Sequence, residues 1–271
     1  MNDNSDEAAR DGRLARIRKL LAQAEDPGAT DAEAEAFTAK AIGLMATYGI
    51  DRAMLAAAEP DLDRPGDRMV DLLAPYARDK ADLLAGLAHA LRCRGVLRVD
   101  YGASDQRWAA PAKKQLKMHL FGYGSDLARV EILFTSLLVQ MANGLRTERI
   151  PSYEHVAAYR RAWIAGFAAA VVRRLRDAEQ RAAADAAGAE ATAAPAAGRP
   201  ARSVAVVLAS RAEVVDHAVS AAYPRLSTAP RRSLSGGGYG GGYAAGRRAD
   251  LGAGRRSRVG HGRNPALPRF G

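Results

Sequence analysis

The chain has 271 residues, 48% of them hydrophobic, which suffices for one large core or two modest ones, and a formal net charge of +10. Its single cysteine, Cys93, excludes an intrachain disulfide and the four-cysteine or Cys/His zinc frameworks. No run of about 18 apolar residues occurs and the start, Met1 to Glu7, is acidic where a secretory signal would be basic and then apolar, so a cytoplasmic protein without a membrane partner is expected.

Leu14, Ile17, Leu21 and Ala24 form one stripe of a helix over about 12–25, which Asp26-Pro27-Gly28 stops. Thr30 with Glu33 makes a capping box for a second helix, whose face is Ala34, Phe37, Ala41, Leu44 and Tyr48. Gly49 is expected to end it as a left-handed C′ residue. The two helices make an antiparallel hairpin too small to bury its own apolar faces. Residues 59–69, with Pro60, Asp61, Asp63, Pro65, Gly66 and Asp67, read as a turn-rich boundary.

Leu83, Leu84, Leu87 and Leu91 mark a third helix at roughly 78–93. The alternating run from Val96 to Tyr101 suits a strand, and Leu116, Met118 and Leu120 alternate with Lys117, His119 and Phe121 in a second. The two should pair antiparallel across residues 102–114. Ser125 is placed to cap a long helix to about 146, and Ser152 to cap another that runs to about 186. Residues 188–201, with Gly188, Pro195, Gly198 and Pro200, read as a linker. Ser203 to Ala209 has the length of a strand, and Ala212 to Ala222 reads as a helix stopped before Pro224.

These elements predict an α+β protein, mainly helical. Its parts are an N-terminal helical hairpin (12–58), a central domain with a small antiparallel β-hairpin (70–187), the linker (188–201), a strand-helix extension (202–230) and a disordered Arg/Gly-rich tail (231–271).

The stretch Arg16-Ile17-Arg18-Lys19-Leu20-Leu21-Ala22, then Glu33-Ala34-Glu35-Ala36, Ala41, Leu44-Met45 and Tyr48-Gly49-Ile50-Asp51, resembles a bacterial and phage family, domain-of-unknown-function family twenty-seven eighty-six, over about residues 12–58. The remainder looks like the C-terminal region that accompanies that family, in Ala165-Gly166-Phe167, Arg173-Arg174-Leu175 and the run from Ala244 to Gly252. The resemblance implies an architecture and a bacterial or phage origin. It carries no established activity, so it supplies no catalytic residue.

The residues themselves nominate no catalytic, cofactor or metal site. Gly236 to Gly241 contains G-x-G-x-x-G, but no strand precedes it and a glycine run matches the pattern trivially. His89 and Cys93 are four apart on the predicted third helix, which makes two ligands and not a site. His119, His155 and His217 are isolated, and Asp79, Asp82, Asp100, Asp105 and Asp126 lie near element ends, where capping and solvation explain them. No G-x-S-x-G elbow is present. An enzyme centred on His119 and the 102–114 loop would require an acid beside it in a closed cleft.

Charge carries the sharpest hint. From Arg199 onward 13 Arg face Glu213, Asp216 and Asp250, so this stretch holds the whole excess of +10 and residues 1–198 are balanced. Arg231, Arg232, Arg247, Arg248, Arg255, Arg256 and Arg258, interleaved with glycine and with Tyr239 and Tyr243, suit phosphate contact and base stacking. The leading expectation is a non-catalytic protein that associates with DNA or RNA without sequence preference. The alternative is a protein-interaction module that docks through the hairpin stripe of Leu14, Ile17, Leu21, Phe37 and Leu44 on a protein partner.

Overall fold

The computed structural model describes residues 31–101, 114–192, 203–228 and 232–249. Helix α1 (Asp31–Ala58) leads through a 3-10 turn (Pro60–Leu62) into strand β1 (Pro65–Leu72) and helix α2 (Ala77–Ala90). Strands β2 (Arg94–Tyr101) and β3 (Lys114–Tyr123) follow, then helices α3 (Gly124–Thr147), α4 (Val156–Thr192), α5 (Val204–Ala222) and α6 (Tyr239–Arg248). The protein is mainly helical with one small antiparallel sheet, the α+β class expected. The predicted helix at 12–25 lies outside the described residues.

The sheet has the order β1-β3-β2. The expected pairing of β2 with β3 is present, with Val96 opposite His119, Leu97 opposite Met118 and Val99 opposite Leu116. Its connection lies outside the described residues. Side-chain alternation divides β3. Leu116, Met118 and Leu120 face the main core, whereas Phe121 on the other face joins Val96, Val215 and Tyr223 beneath α5.

Strand β1 corrects the reading of 59–69 as turn-rich chain. Pro, Gly and Asp depress strand propensity, but β3 offers an open edge, and pairing Val70 with Met118 and Leu72 with Leu116 brings two more apolar side chains against the core. Pro65 occupies the first residue of the strand, where a missing N–H is tolerated.

Four helix assignments also differ from expectation. Gly49 does not stop the second helix, since α1 continues to Ala58. Glycine is needed there because a Cβ would stand 2.7 Å from Cζ of Arg129 and 2.8 Å from Nη2 of Arg92. Ser203 to Ala209 is not a strand but the first half of α5, and the Ser203 side chain is its N-cap, accepting from the Val206 N–H. A short apolar run fits a buried strand and a buried helix equally, and the residues after it decide. Helix α4 starts at Val156 rather than at Ser152 and passes through Gly188 to Thr192, taking in part of the expected linker. Likewise Ser125 is not the cap of α3, which starts at Gly124.

Helix α4, with 37 residues and so about 55 Å long, is the spine of the molecule. Its Trp163, Phe167, Val171 and Leu175 are buried with Leu83, Leu84 and Leu87 of α2 and Leu133 and Leu137 of α3 in one core. Burying each such side chain contributes about 1.5–3 kcal/mol. Helix α1 joins the same core through Ile42 and Met45, and Leu44 packs against it.

The Arg/Gly-rich stretch is not featureless. Residues 239–248 form α6, which lies along α4 and runs in the same direction. A ten-residue segment with four glycines would not hold a helix alone. It forms because Gly238, Gly242 and Gly246, four apart, seat against Tyr159, Trp163 and Phe167 of α4, Gly246 also against Ala170, while Gly166 of α4 meets the backbone of Tyr239 and Tyr243. A Cβ on Gly242 would be 2.6 Å from the Trp163 carbonyl carbon, and one on Gly166 would be 2.8 Å from the Tyr243 nitrogen. The two backbones are therefore in direct contact, as small residues at such spacing permit. Residues 250–271 lie outside the described residues.

Candidate nucleic-acid interface

The arginines singled out in the sequence do not share one fate. The Arg232 guanidinium donates to Asp79 at 2.8 Å and to Asp82. Burial acts to lower its pKa, but the two carboxylates outweigh this and hold it raised. Arg232 is thus bound to the body through α2. Arg247 and Arg248 are exposed in the last turn of α6, and among the described residues neither has an ion-pair partner. Arg231, Arg255, Arg256 and Arg258 lie outside the described residues.

Since α6 turns its glycines toward α4, its other face is left to larger side chains. Tyr239 and Tyr243, one turn apart, are stacked with ring centroids 6.3 Å apart and planes 22° apart. Tyr239 is 49% exposed. Tyr243 continues into Arg247 and Arg248 around a shallow groove of about 300 Å³ floored by Gly240 and Ala244. Arg174 of α4 donates to the carbonyls of Gly246 (3.1 Å) and Ala249 (2.7 Å). This places a further cation against the negative end of α6, which favours the helical state. The result is a strip of two aromatic rings followed by two guanidiniums without an ion-pair partner among the described residues, all on one helix.

Two other clusters carry charge without offering it to a ligand. Asp63, Asp126 and Glu179 are buried together with Arg129 and Arg211, and the partly buried Arg92 joins them, three charges of each sign. Arg129 donates to Asp126 at 3.0 Å and to Glu179, Arg92 to Glu179 at 2.6 Å, and Arg211 to Asp63 at 2.6 Å. Burial acts to lower the Arg129 pKa, but Glu179 and Asp126 together hold it raised. Asp63 also accepts from the Ser125 N–H (3.0 Å) and hydroxyl (2.6 Å), and the Arg211 guanidinium lies 3.5 Å from the centre of the Tyr123 ring. A cleft of about 400 Å³ opens beside Asp63, Tyr123 and Arg211. Its acid and its base are already joined to each other, so no free charge faces the opening.

His119 does find an acid, with Nε2 2.8 Å from Asp67 and Nδ1 2.6 Å from the Tyr223 hydroxyl. With a neutral imidazole, Nε2–H donates to the carboxylate and Nδ1 accepts from the phenol. The Asp67 side chain is 61% exposed, so this array lies at the surface of the sheet and not in a closed cleft. Its evident effect is to fasten Tyr223, which closes α5, to β3. His89 and Cys93 do not share a helix face, because α2 ends at Ala90 and Arg92 turns the chain with φ 63°. Cys93 is fully buried, and that burial, with Asp126 adding to it, pushes the thiol up to about 12. Among the described residues no group of three or more His, Cys, Asp or Glu is placed to hold a metal ion.

Sequence reasoning missed the buried charge cluster, whose six members span residues 63–211 and leave no local pattern. It also missed the helix at 239–248. The signal for that was present: glycines at 238, 242 and 246 keep the spacing of a helix face, and Ala158, Ala162, Gly166 and Ala170 repeat it.

Fold and site together define a mainly helical α+β protein whose last helix among the described residues displays an aromatic and cationic strip. Residues 13–52 match the model of a family described as "Protein of unknown function (DUF2786)", the family whose residues this stretch resembles. Comparison with curated proteins and with solved structures gives no match. Among the described residues no helix is long and apolar enough to cross a membrane.

Proposed function

We propose that the protein is a non-catalytic nucleic-acid-associated protein that binds single-stranded DNA or RNA along the outer face of α6. The observation that carries this reading is the stacked pair Tyr239 and Tyr243 continuing into the exposed Arg247 and Arg248. Rings stack on bases of any sequence and guanidiniums pair with phosphates, so the strip combines the two elements of sequence-tolerant binding. Arg255, Arg256 and Arg258 extend the positive charge beyond α6 in the sequence. Arg232 is set aside because its charge is spent on Asp79 and Asp82. The alternative, docking on a protein partner through the hairpin stripe, is weakened because Leu44 packs against the protein's own core.

Fluorescence anisotropy with a labelled single-stranded oligonucleotide tests the reading on the full chain. Each phosphate contact adds about 0.7 to the slope of log affinity against log salt, so R247E/R248E should lower that slope by about 1.4. Y239A/Y243A should weaken binding by roughly tenfold or more while leaving the slope unchanged. Wild-type affinity and slope in both variants, with circular dichroism unchanged, would refute the assignment.

A further inference from the structure

A second groove, of about 340 Å³, lies between α2, α3 and the start of α4, and no part of the strip on α6 lines it. Its floor is aliphatic, formed by Leu138, Met141 and Leu145 of α3. Its rim carries Lys80, Arg146 and Arg160 and no carboxylate. Two acids of α2, Asp79 and Asp82, are occupied by Arg232, and Asp82 also by Arg78. Among the described residues Arg146 and Arg160 have no ion-pair partner, and the Arg160 Nε is buried without a hydrogen-bond acceptor. Lys80 donates to the Leu73 carbonyl at 2.8 Å, and burial pushes its pKa down. Three cations crowd an apolar wall, and among the described residues no carboxylate lines the groove beside them.

This arrangement selects a ligand by its chemistry. Apart from the Tyr76 hydroxyl, every polar side-chain atom on the lining is a donor. A nucleobase brings donors of its own and would leave them unmatched, which is costly once water is excluded. A head group made of acceptors, joined to an apolar body, leaves nothing unmatched. The volume lies at the small end of ligand sites, so the body is short.

We propose that the groove is a binding site for a small amphipathic anion. The apolar body lies over Leu138, Met141 and Leu145, and a carboxylate or phosphate head is held by Lys80, Arg146 and Arg160. This is independent of the nucleic-acid reading, since neither Tyr239, Tyr243 nor Arg247 takes part.

The test is calorimetric titration of the full chain with four ten-carbon probes below their micelle concentrations: decanoate, decyl phosphate, decanol and decyltrimethylammonium. Decanoate and decyl phosphate should bind with one site per chain, and the tighter of the two names the head group. Decanol should bind at least tenfold more weakly and the cation not at all. Lys80→Met and Arg146→Met should each weaken the anions by about tenfold to a hundredfold, the range for a lost hydrogen bond to a charged group. Decanol binding should be unchanged in both. Arg146 is exposed, so its variant keeps the fold and the test survives a failure of the other. The inference falls if no anion binds, if decanol matches decanoate, if Arg146→Met leaves decanoate affinity intact, or if the oligonucleotide displaces decanoate.

Discussion

Two glycines in one turn of α6 should respond in opposite directions to the same substitution. At Gly242 an added methyl would lie 2.6 Å from the carbonyl carbon of Trp163 and 2.9 Å from its Cα, both of them backbone atoms that cannot step aside. Ordinary carbon contacts are about 3.5–4.0 Å, so α6 would have to retreat from α4 by roughly 1 Å. Overpacking of this kind costs about 1–3 kcal/mol, against which helix propensity returns somewhat under about 1 kcal/mol. At Gly240 no atom lies within 4 Å, so only the propensity acts and the change should stabilise by about 0.5 kcal/mol. Thermal unfolding followed by the fluorescence of Trp163, which is fully buried beneath α6, reads both effects. For a chain of this size each kcal/mol moves the midpoint by about 2–4 °C. G242A should therefore melt several degrees below the wild type and G240A one or two degrees above it. G242A should also weaken oligonucleotide binding, because Tyr239 and Tyr243 would no longer be held in line. A G242A protein as stable as the wild type would refute the close contact of the two helices.

Four further outcomes follow from the core. Gly49→Ala should destabilise, although it removes a glycine from the interior of α1, because its Cβ displaces the guanidiniums of Arg129 and Arg92; a urea midpoint equal to or above the wild type would contradict this. Arg129→Met leaves Asp126 and Glu179 short of one buried countercharge and should cost about 3–5 kcal/mol by denaturant unfolding. The Cys93 thiol, raised to about 12, should resist an aromatic disulfide reagent at pH 8 until the chain is unfolded. Its raised pKa also sets a pH trend. The native thiol stays protonated where the unfolded one ionises, so its contribution is complete below the unfolded value of about 8.5 and is lost as pH rises toward 12. Compared with Cys93→Ala, the wild type should lose up to about 1.4 kcal/mol per pH unit above pH 9, and parallel curves would show that the thiol titrates normally.

Periodicity along the chain was enough to read α2, β2, β3 and most of α3 and α4, because their apolar residues recur at 3.6 or at 2 and those residues face the core. The cationic bias from Arg199 onward, the lone cysteine and the likeness of residues 13–52 to a known family also stand in the sequence alone. What tertiary structure decided is the meaning of residues whose local preferences point elsewhere. Gly49 reads as a helix stop and is a seat for two guanidiniums; Pro65, Gly66 and Asp67 read as a turn and begin a strand at an open sheet edge. Gly238, Gly242 and Gly246 read as slack chain and are the contact surface of a helix. Arg232 and Arg247 are identical in a count of charge, yet one is neutralised by Asp79 and Asp82 and the other is exposed. Local propensities are worth about 1 kcal/mol or less per residue, whereas overpacking a close backbone contact costs about 1–3 kcal/mol and stripping a buried charge of its partner about 3–5 kcal/mol, so the distant partner prevails wherever the two disagree.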